Sequence, residues 1–164
     1  MDLGLHSRLS VSVHMAAMLY CGDGPDDHDQ PRAGGRVGLD GDRVLRVLIV
    51  EDEILIAMHL EATVEDMGLE VCGIVATGAD ALNMAASTQP DLILMDINLR
   101  GAMDGIEAAR QVCDGSDTRI IFVTAYGDPQ TLRRIKAATP HAPVLHKPPR
   151  PADLLAAIKR VTEG

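Results

Sequence analysis

From Val44 onward the chain alternates between two hydrophobic patterns. Short, nearly unbroken apolar runs bounded by polar residues suit strands buried on both faces. Longer segments with apolar residues every three or four positions suit amphipathic helices packed on a sheet. Residues 44–50 form the first run and lead straight into Glu51-Asp52-Glu53. The first helix is predicted over 54–67, with Ile54, Ala57, Met58, Leu60, Ala62, Val64 and Met67 as its apolar positions, and Gly68 is set to stop it. Residues 69–75 predict a second strand and 79–87 a second helix. The third strand is the run Leu92-Ile93-Leu94-Met95, which Pro90 and Asp91 precede and Asp96 ends. A third helix is predicted over 103–113, a fourth strand over 119–124, and a fourth helix from Asp128 and Pro129, a cap and first-turn pair, to Ala138. Residues 143–146 are a short fifth strand, and the last helix begins at Pro151 with Leu154, Leu155, Ile158 and Val161 facing inward.

Strand and helix thus alternate five times. Such alternation predicts a doubly wound α/β fold, a five-stranded parallel sheet covered by helices on both faces through right-handed crossovers. The chain ends just after the fifth helix, so no output domain is expected. Residues 1–43 read differently. Leu9, Val11 and Val13 alternate with polar residues, and a stretch dense in Gly, Pro and Asp follows Cys21. Such a composition cannot bury enough apolar surface to offset ordering entropy. This extension is expected to be disordered or weakly structured, a docking arm or linker being the functional alternative and an early-assigned start codon another. Asp26, Asp27, His28 and Asp29 read as a solvated acidic run rather than a metal site.

Composition narrows the picture. The 164 residues hold no Trp, one Phe and two Tyr, so the core must be aliphatic. A formal net charge of −9 argues against direct nucleic-acid binding and against binding to anionic lipid. Cys21, Cys72 and Cys113 have no metal-ligand spacing, and their odd number favours reduced thiols and a cytoplasmic location. No apolar run approaches a membrane span. The mildly apolar stretch from Val11 to Cys21 is interrupted by His14, and Tyr20 fits no small-residue cleavage site, so export is not expected.

Four of the five strands run into polar chemistry: Glu51 and Asp52 after the first, Asp96 after the third, Thr124 at the fourth and Lys147 after the fifth. In a parallel sheet these residues meet at the carboxyl edge, where open α/β sheets bind their ligands. Each alone has an ordinary reading: an acidic helix start, a turn aspartate, a strand threonine, a solvated lysine. Their joint occurrence at successive strand ends does not. Crowded carboxylates repel one another, and a hard divalent cation, Mg²⁺, removes the repulsion. Asp96 is then a potential nucleophile toward a phosphoryl group, with Lys147 and Thr124 available to its oxygens.

The stretches Leu48-Ile49-Val50-Glu51-Asp52-Glu53, Leu94-Met95-Asp96, Met103-Asp104-Gly105, Val123-Thr124-Ala125 and Lys147-Pro148 resemble a response-regulator receiver domain of two-component signalling, over residues 44–164. The resemblance implies a flavodoxin-like sheet of order 2-1-3-4-5 and a phosphoprotein, not an enzyme. It implies Asp96 as phosphoacceptor, charged by a histidine kinase or a histidine phosphotransfer protein. Glu51, Asp52 and Asp96 would hold Mg²⁺ by side chain and Asn98 by its backbone carbonyl, with Thr124 and Lys147 as phosphoryl-binding switch residues. A Lys147–Pro148 bond of cis geometry is also implied. The readout would be a downstream protein partner, and the chain a monomer or a phosphorylation-dependent dimer.

The chain departs from the family pattern in several places. Val144 stands where an aromatic switch residue is usual, three before the lysine, while Tyr126 lies two after Thr124. In this the chain is similar to mostly stand-alone receivers with a Phe-Ala-Thr-Gly-Tyr-like fourth strand, and Tyr126 is expected to take part of the switching. Tyr126 and Asn98 are also expected to tune water attack, slowing self-dephosphorylation. The loop after Asp96 lacks the common proline and is one residue longer than usual before Asp104-Gly105, and Pro149 replaces a usual Phe. Two other functions fit the same residues: a phosphate-independent receiver acting as a protein-binding module, and a phosphatase of the haloacid-dehalogenase type. The latter places its nucleophile early and a second Asp two residues on, where this chain has Asn98.

Overall fold

The computed structural model describes residues 43–125 and 127–163. The expectations for residues 1–42, for Cys21 and for Tyr126 lie outside the described residues. Five strands, β1 (Arg46–Val50), β2 (Glu70–Val75), β3 (Leu92–Met95), β4 (Arg119–Thr124) and β5 (Val144–His146), alternate with five helices, α1 (Ile54–Asp66), α2 (Gly78–Thr88), α3 (Gly105–Gly115), α4 (Pro129–Ala138) and α5 (Pro151–Thr162). The strands form one sheet in the order β2-β1-β3-β4-β5, and every neighbouring pair is parallel. The expected order and class are therefore the observed ones.

The apolar runs are continuous because both faces of the sheet are covered. On one face Leu48, Val50, Ile93, Met95, Ile120 and Phe122 pack against Ala81 of α2, Ile106, Ala109 and Val112 of α3 and Ile135 of α4. On the other, Val47, Ile49, Leu92, Leu94, Ile121 and Val123 pack against Leu60 and Val64 of α1 and Leu154, Ala157 and Ile158 of α5. Phe122, the chain's one phenylalanine, is fully buried among aliphatic side chains. Truncating a side chain such as Ile93 or Leu94, with no solvent exposure to lose, costs on the order of 2–5 kcal/mol.

Helix ends follow local chemistry. α1 stops at Gly68, whose φ of 76° is open to glycine at low cost. Its amide donates to the Glu65 carbonyl at 2.9 Å and the Leu69 amide to the Val64 carbonyl at 3.3 Å, so the last turn is closed. Asp128 caps α4 by accepting from the Gln130 and Thr131 amides, with Pro129 in the first turn. Thr77 caps α2 and Asp104 caps α3.

Three sequence expectations need correction. The third helix begins at Gly105, not at 103, because the Asp104 side chain accepts from the Glu107 amide and ends the loop there. Leu155 does not face inward: it is 39% exposed, and Ala157 fills the inner face beside Leu154 and Ile158. In α1 the buried positions are Ala57, Leu60, Thr63 and Val64, while Ile54 is 65% and Met58 57% exposed and Ala62 is exposed too. Ile54, Met58 and Ala62 follow one another at four-residue steps and so share a face, on the side away from the sheet.

Candidate functional site

The carboxyl edge of the sheet gathers the polar strand ends. The Glu51 amide donates to the Val75 carbonyl and the Asp96 amide to the Val50 carbonyl, both at 2.9 Å, so each strand end is pinned to its neighbour. The Lys147 amide likewise donates to the Thr124 carbonyl at 3.0 Å. This ladder carries Glu51, Asp96, Thr124 and Lys147 to one region, and the Lys147–Pro148 peptide bond there is cis, as the resemblance implied.

At the centre is the Lys147 ammonium, whose side chain is only 6% exposed. It donates to Asp96 Oδ2 at 2.7 Å. It lies 2.5 Å from Glu51 Oε2, an ion-pair distance without hydrogen-bonding alignment, and among the described residues no donor is directed at that buried oxygen. Glu53, well exposed, stands 3.9 Å from the ammonium. Asp96 Oδ1 accepts from the Ile97 amide at 2.7 Å, and Glu51 Oε1 from the Glu53 amide at 3.2 Å. Burial pushes the Glu51 carboxyl up; the Lys147 ammonium opposes this and the Asp96 charge adds to it, and the balance lies above the usual carboxylate range. Burial draws the Lys147 ammonium down, but its close contacts with the Asp96 and Glu51 carboxylates outweigh that and raise it.

Ligand atoms of Glu51, Asp52 and Asp96 all lie within 4.8 Å of one another. Hard oxygen donors in this number, one with no directed donor, fit a divalent cation of the Mg²⁺ kind. Asp52 is partly buried and pairs with Arg100, whose Nε donates to Asp52 Oδ2 at 2.9 Å. Thr124 is fully buried. Asn98 sits in the loop two residues beyond Asp96 and is exposed.

Two features of the site go beyond the motif reading, which quoted Asp104-Gly105 without a role for it and did not include Arg100. Gly105 passes so close to the strand end that an added Cβ would lie 1.8 Å from the Asp96 carbonyl oxygen, and its amide donates to the Ile97 carbonyl at 2.9 Å. The Asp104-Gly105 pair is thus a device that lets α3 start against the back of Asp96. Arg100 is the other: the unusual length of its loop was visible, but nothing in the linear pattern showed its guanidinium folding back onto Asp52.

Comparison with known proteins agrees with this architecture. The family profile of the response regulator receiver domain matches residues 47–159. The chain belongs to that family. Among its relatives is the phyllosphere-induced regulator PhyR of Methylorubrum extorquens, 37% identical over 124 residues, which cover 74% of this chain and 45% of PhyR. Another is the transcriptional regulatory protein PdtaR of Mycobacterium tuberculosis, 35% identical over 114 residues, 70% of this chain and 55% of PdtaR. The chain thus spans about half the length of these curated relatives. Among solved structures, Vibrio cholerae chemotaxis protein CheY4 superposes with a TM-score of 0.66 at 32% identity, covering 73% of this chain and 99% of CheY4. The receiver domain of Erythrobacter litoralis PhyR gives a TM-score of 0.64 at 33% identity, covering 72% and 89%. No described helix is long and apolar enough to cross a membrane.

Proposed function

We propose that residues 44–164 work as a phosphorylation-controlled switch, with residues 1–43 a separate extension. Asp96 accepts a phosphoryl group from a histidine kinase or a histidine phosphotransfer protein, and a partner protein reads the result. The observation that carries this reading is the convergence of two buried carboxylates, Glu51 and Asp96, on the buried Lys147 ammonium, with Asp52 beside them. Buried charge of this kind costs stability, and such groups cluster at functional sites.

In the transfer a carboxylate oxygen of Asp96 attacks phosphorus, the donor's P–N bond breaks and the P–O bond of an acyl phosphate forms. The Ile97 amide and the Lys147 ammonium hold the carboxylate in one orientation, and alignment is most of what phosphoryl transfer asks of a protein. Lys147 then pairs with a phosphoryl oxygen in place of Asp96, and the Thr124 hydroxyl donates to another. Glu51, Asp52, Asp96 and the Asn98 carbonyl would hold Mg²⁺, which when bound would supply the remaining neutralisation of the phosphoryl charge. Asn98 and Tyr126 tune the attack of water, and the bulk of Tyr126 hinders it, so the acyl phosphate hydrolyses slowly. The net charge of −9 supports a protein partner over nucleic acid or lipid, and the cysteine usage supports a cytoplasmic setting.

The test is exposure to acetyl phosphate with and without Mg²⁺, read by intact mass. One added phosphoryl group on the wild type, lost in Asp96→Asn and without metal, is expected. Failure of the wild type to take phosphoryl from acetyl phosphate or from any histidine phosphotransfer protein, with no Mg²⁺ binding, would overturn the proposal in favour of a phosphate-independent binding module.

A further inference from the structure

Arg100 lies outside the motif stretches, in the loop four residues after Asp96, yet it touches the acidic cluster. Its Nε donates to Asp52 Oδ2 at 2.9 Å, and the Asp52 side chain is 14% exposed while that of Arg100 is 76% exposed. The contact is built rather than incidental, because the backbone on both sides of Arg100 is committed. Arg100 pairs with Thr77 in an isolated parallel bridge, and Thr77 is itself the cap of α2. The next residue, Gly101, takes φ of +110°, a conformation that L side chains rarely adopt and that turns the loop away directly after the arginine. The loop from Asp96 to Asp104 therefore delivers one guanidinium to one carboxylate.

That carboxylate is a member of the cluster whose three ligand atoms lie within 4.8 Å of one another. A guanidinium has donors only and stays charged, so it cannot raise the basicity of a metal ligand. It draws on the oxygen lone pair that a cation needs and adds a positive charge beside the site. Lys147 neutralises the buried side of the cluster, next to Glu51 and Asp96; Arg100 neutralises the solvent side at Asp52.

We propose that Arg100 is a resident counter-cation that competes with the divalent ion for Asp52. It engages Asp52 when the pocket is metal-free and releases it when the metal binds, so that metal occupancy frees the Arg100 side chain while the backbone of its loop stays in place. This rests on the metal reading given above. Arg100 is a positioning residue for the cluster, not a group that reacts. Because the Arg100 side of the pair is open to solvent, its effect is modest: about a two- to five-fold weakening of metal affinity at low salt.

Calorimetric titration of the full chain with Mg²⁺ at low ionic strength, on wild type, Arg100→Gln and Arg100→Lys, tests this. Arg100→Gln is expected to bind Mg²⁺ two- to five-fold more tightly than wild type, with Arg100→Lys close to wild type because it keeps the charge, and with the difference shrinking at high salt as screening removes it. In parallel, the side-chain Nε–H resonance of Arg100 is expected to move toward that of a free arginine as Mg²⁺ is added. Equal or weaker binding in Arg100→Gln, or an Arg100 resonance that ignores Mg²⁺, would overturn the competition while leaving the metal site standing. Absence of Mg²⁺ binding in both wild type and Arg100→Gln would overturn the metal site, and the competition with it.

Discussion

The two edges of the sheet handle charge in opposite ways. At the amino edge, Asp91 accepts from the Arg46 amide at 2.8 Å and from the Arg43 guanidinium at 2.9 Å. The Arg46 guanidinium reaches Glu70 at 3.4 Å and also the Thr88 carbonyl. Two cations meet two acids there and each charge has a partner; Arg43 and Glu70 are well exposed to water, while Arg46 and Asp91 are partly buried. At the carboxyl edge, Glu51, Asp52, Glu53 and Asp96 face two cations among the described residues, Lys147 and Arg100, and the innermost groups are almost wholly buried. The first arrangement ties down strand starts. The second is under-compensated where compensation matters most, and the proposed Mg²⁺ would supply the missing positive charge.

The comparison breaks most visibly at Lys147. Lys147→Met leaves Glu51 and Asp96 buried without their ammonium, and is expected to cost about 3–5 kcal/mol in urea unfolding at neutral pH with chelator present. Added Mg²⁺ should recover part of this, since it neutralises the same carboxylates. A loss below about 1 kcal/mol would show that the buried cluster is not held by that ammonium. Arg43→Met at the other edge, removing an exposed partner, should change stability by less than about 0.5 kcal/mol.

Asp91→Ala sharpens the amino edge. It removes a charged acceptor from the Arg46 amide and from Arg43, and is expected to cost about 1–2 kcal/mol by the same unfolding assay. Glu51→Gln should do the reverse, stabilising the metal-free protein by roughly 1 kcal/mol at neutral pH while abolishing metal-dependent phosphorylation. The sign follows from burial. With its folded-state pKa raised above 4.5, Glu51 favours the fold below that value, and the contribution is lost as pH rises through the folded pKa. The gain from Glu51→Gln should therefore fade on acidification, and a destabilised Glu51→Gln at pH 7 would contradict the crowding argument.

Legibility in the sequence follows the same divide. The doubly wound class, the order of elements and Glu51, Asp52, Asp96, Thr124 and Lys147 as a group were readable, because strand periodicity and strand ends are local signals. Which apolar residues face inward was less so. Ile54, Met58 and Leu155 are apolar but exposed, and a helix with apolar residues on two sides does not say which one meets the sheet. The Arg100–Asp52 and Arg134–Asp104 pairs were not readable at all, since each joins segments 30 or more positions apart by side chains whose direction only the fold sets.

The Arg134–Asp104 pair gives the finest test, because it links the site loop to α4. Asp104 accepts from the Glu107 amide at 2.9 Å through Oδ1, capping α3, and from the Arg134 guanidinium at 2.5 Å through Oδ2. Burial alone would raise its carboxyl, but the bond and charge of Arg134 together with the Glu107 and Ile106 amides hold it below 3.8. An acid held below its unfolded value contributes stability that is present above pH 3.8 and lost as pH falls through the folded value. Both partners are partly exposed, so Asp104→Asn, which keeps an acceptor for the cap, should cost less than about 1 kcal/mol at pH 7. The difference between wild type and Asp104→Asn should vanish at the acid end, where the wild-type carboxyl is protonated, and Arg134→Gln should match Asp104→Asn at pH 7. A double mutant no worse than either single variant would show that the two act as one contact. Additive losses would instead mean that the two side chains act independently, and that this pair does not tie α4 to the loop behind Asp96.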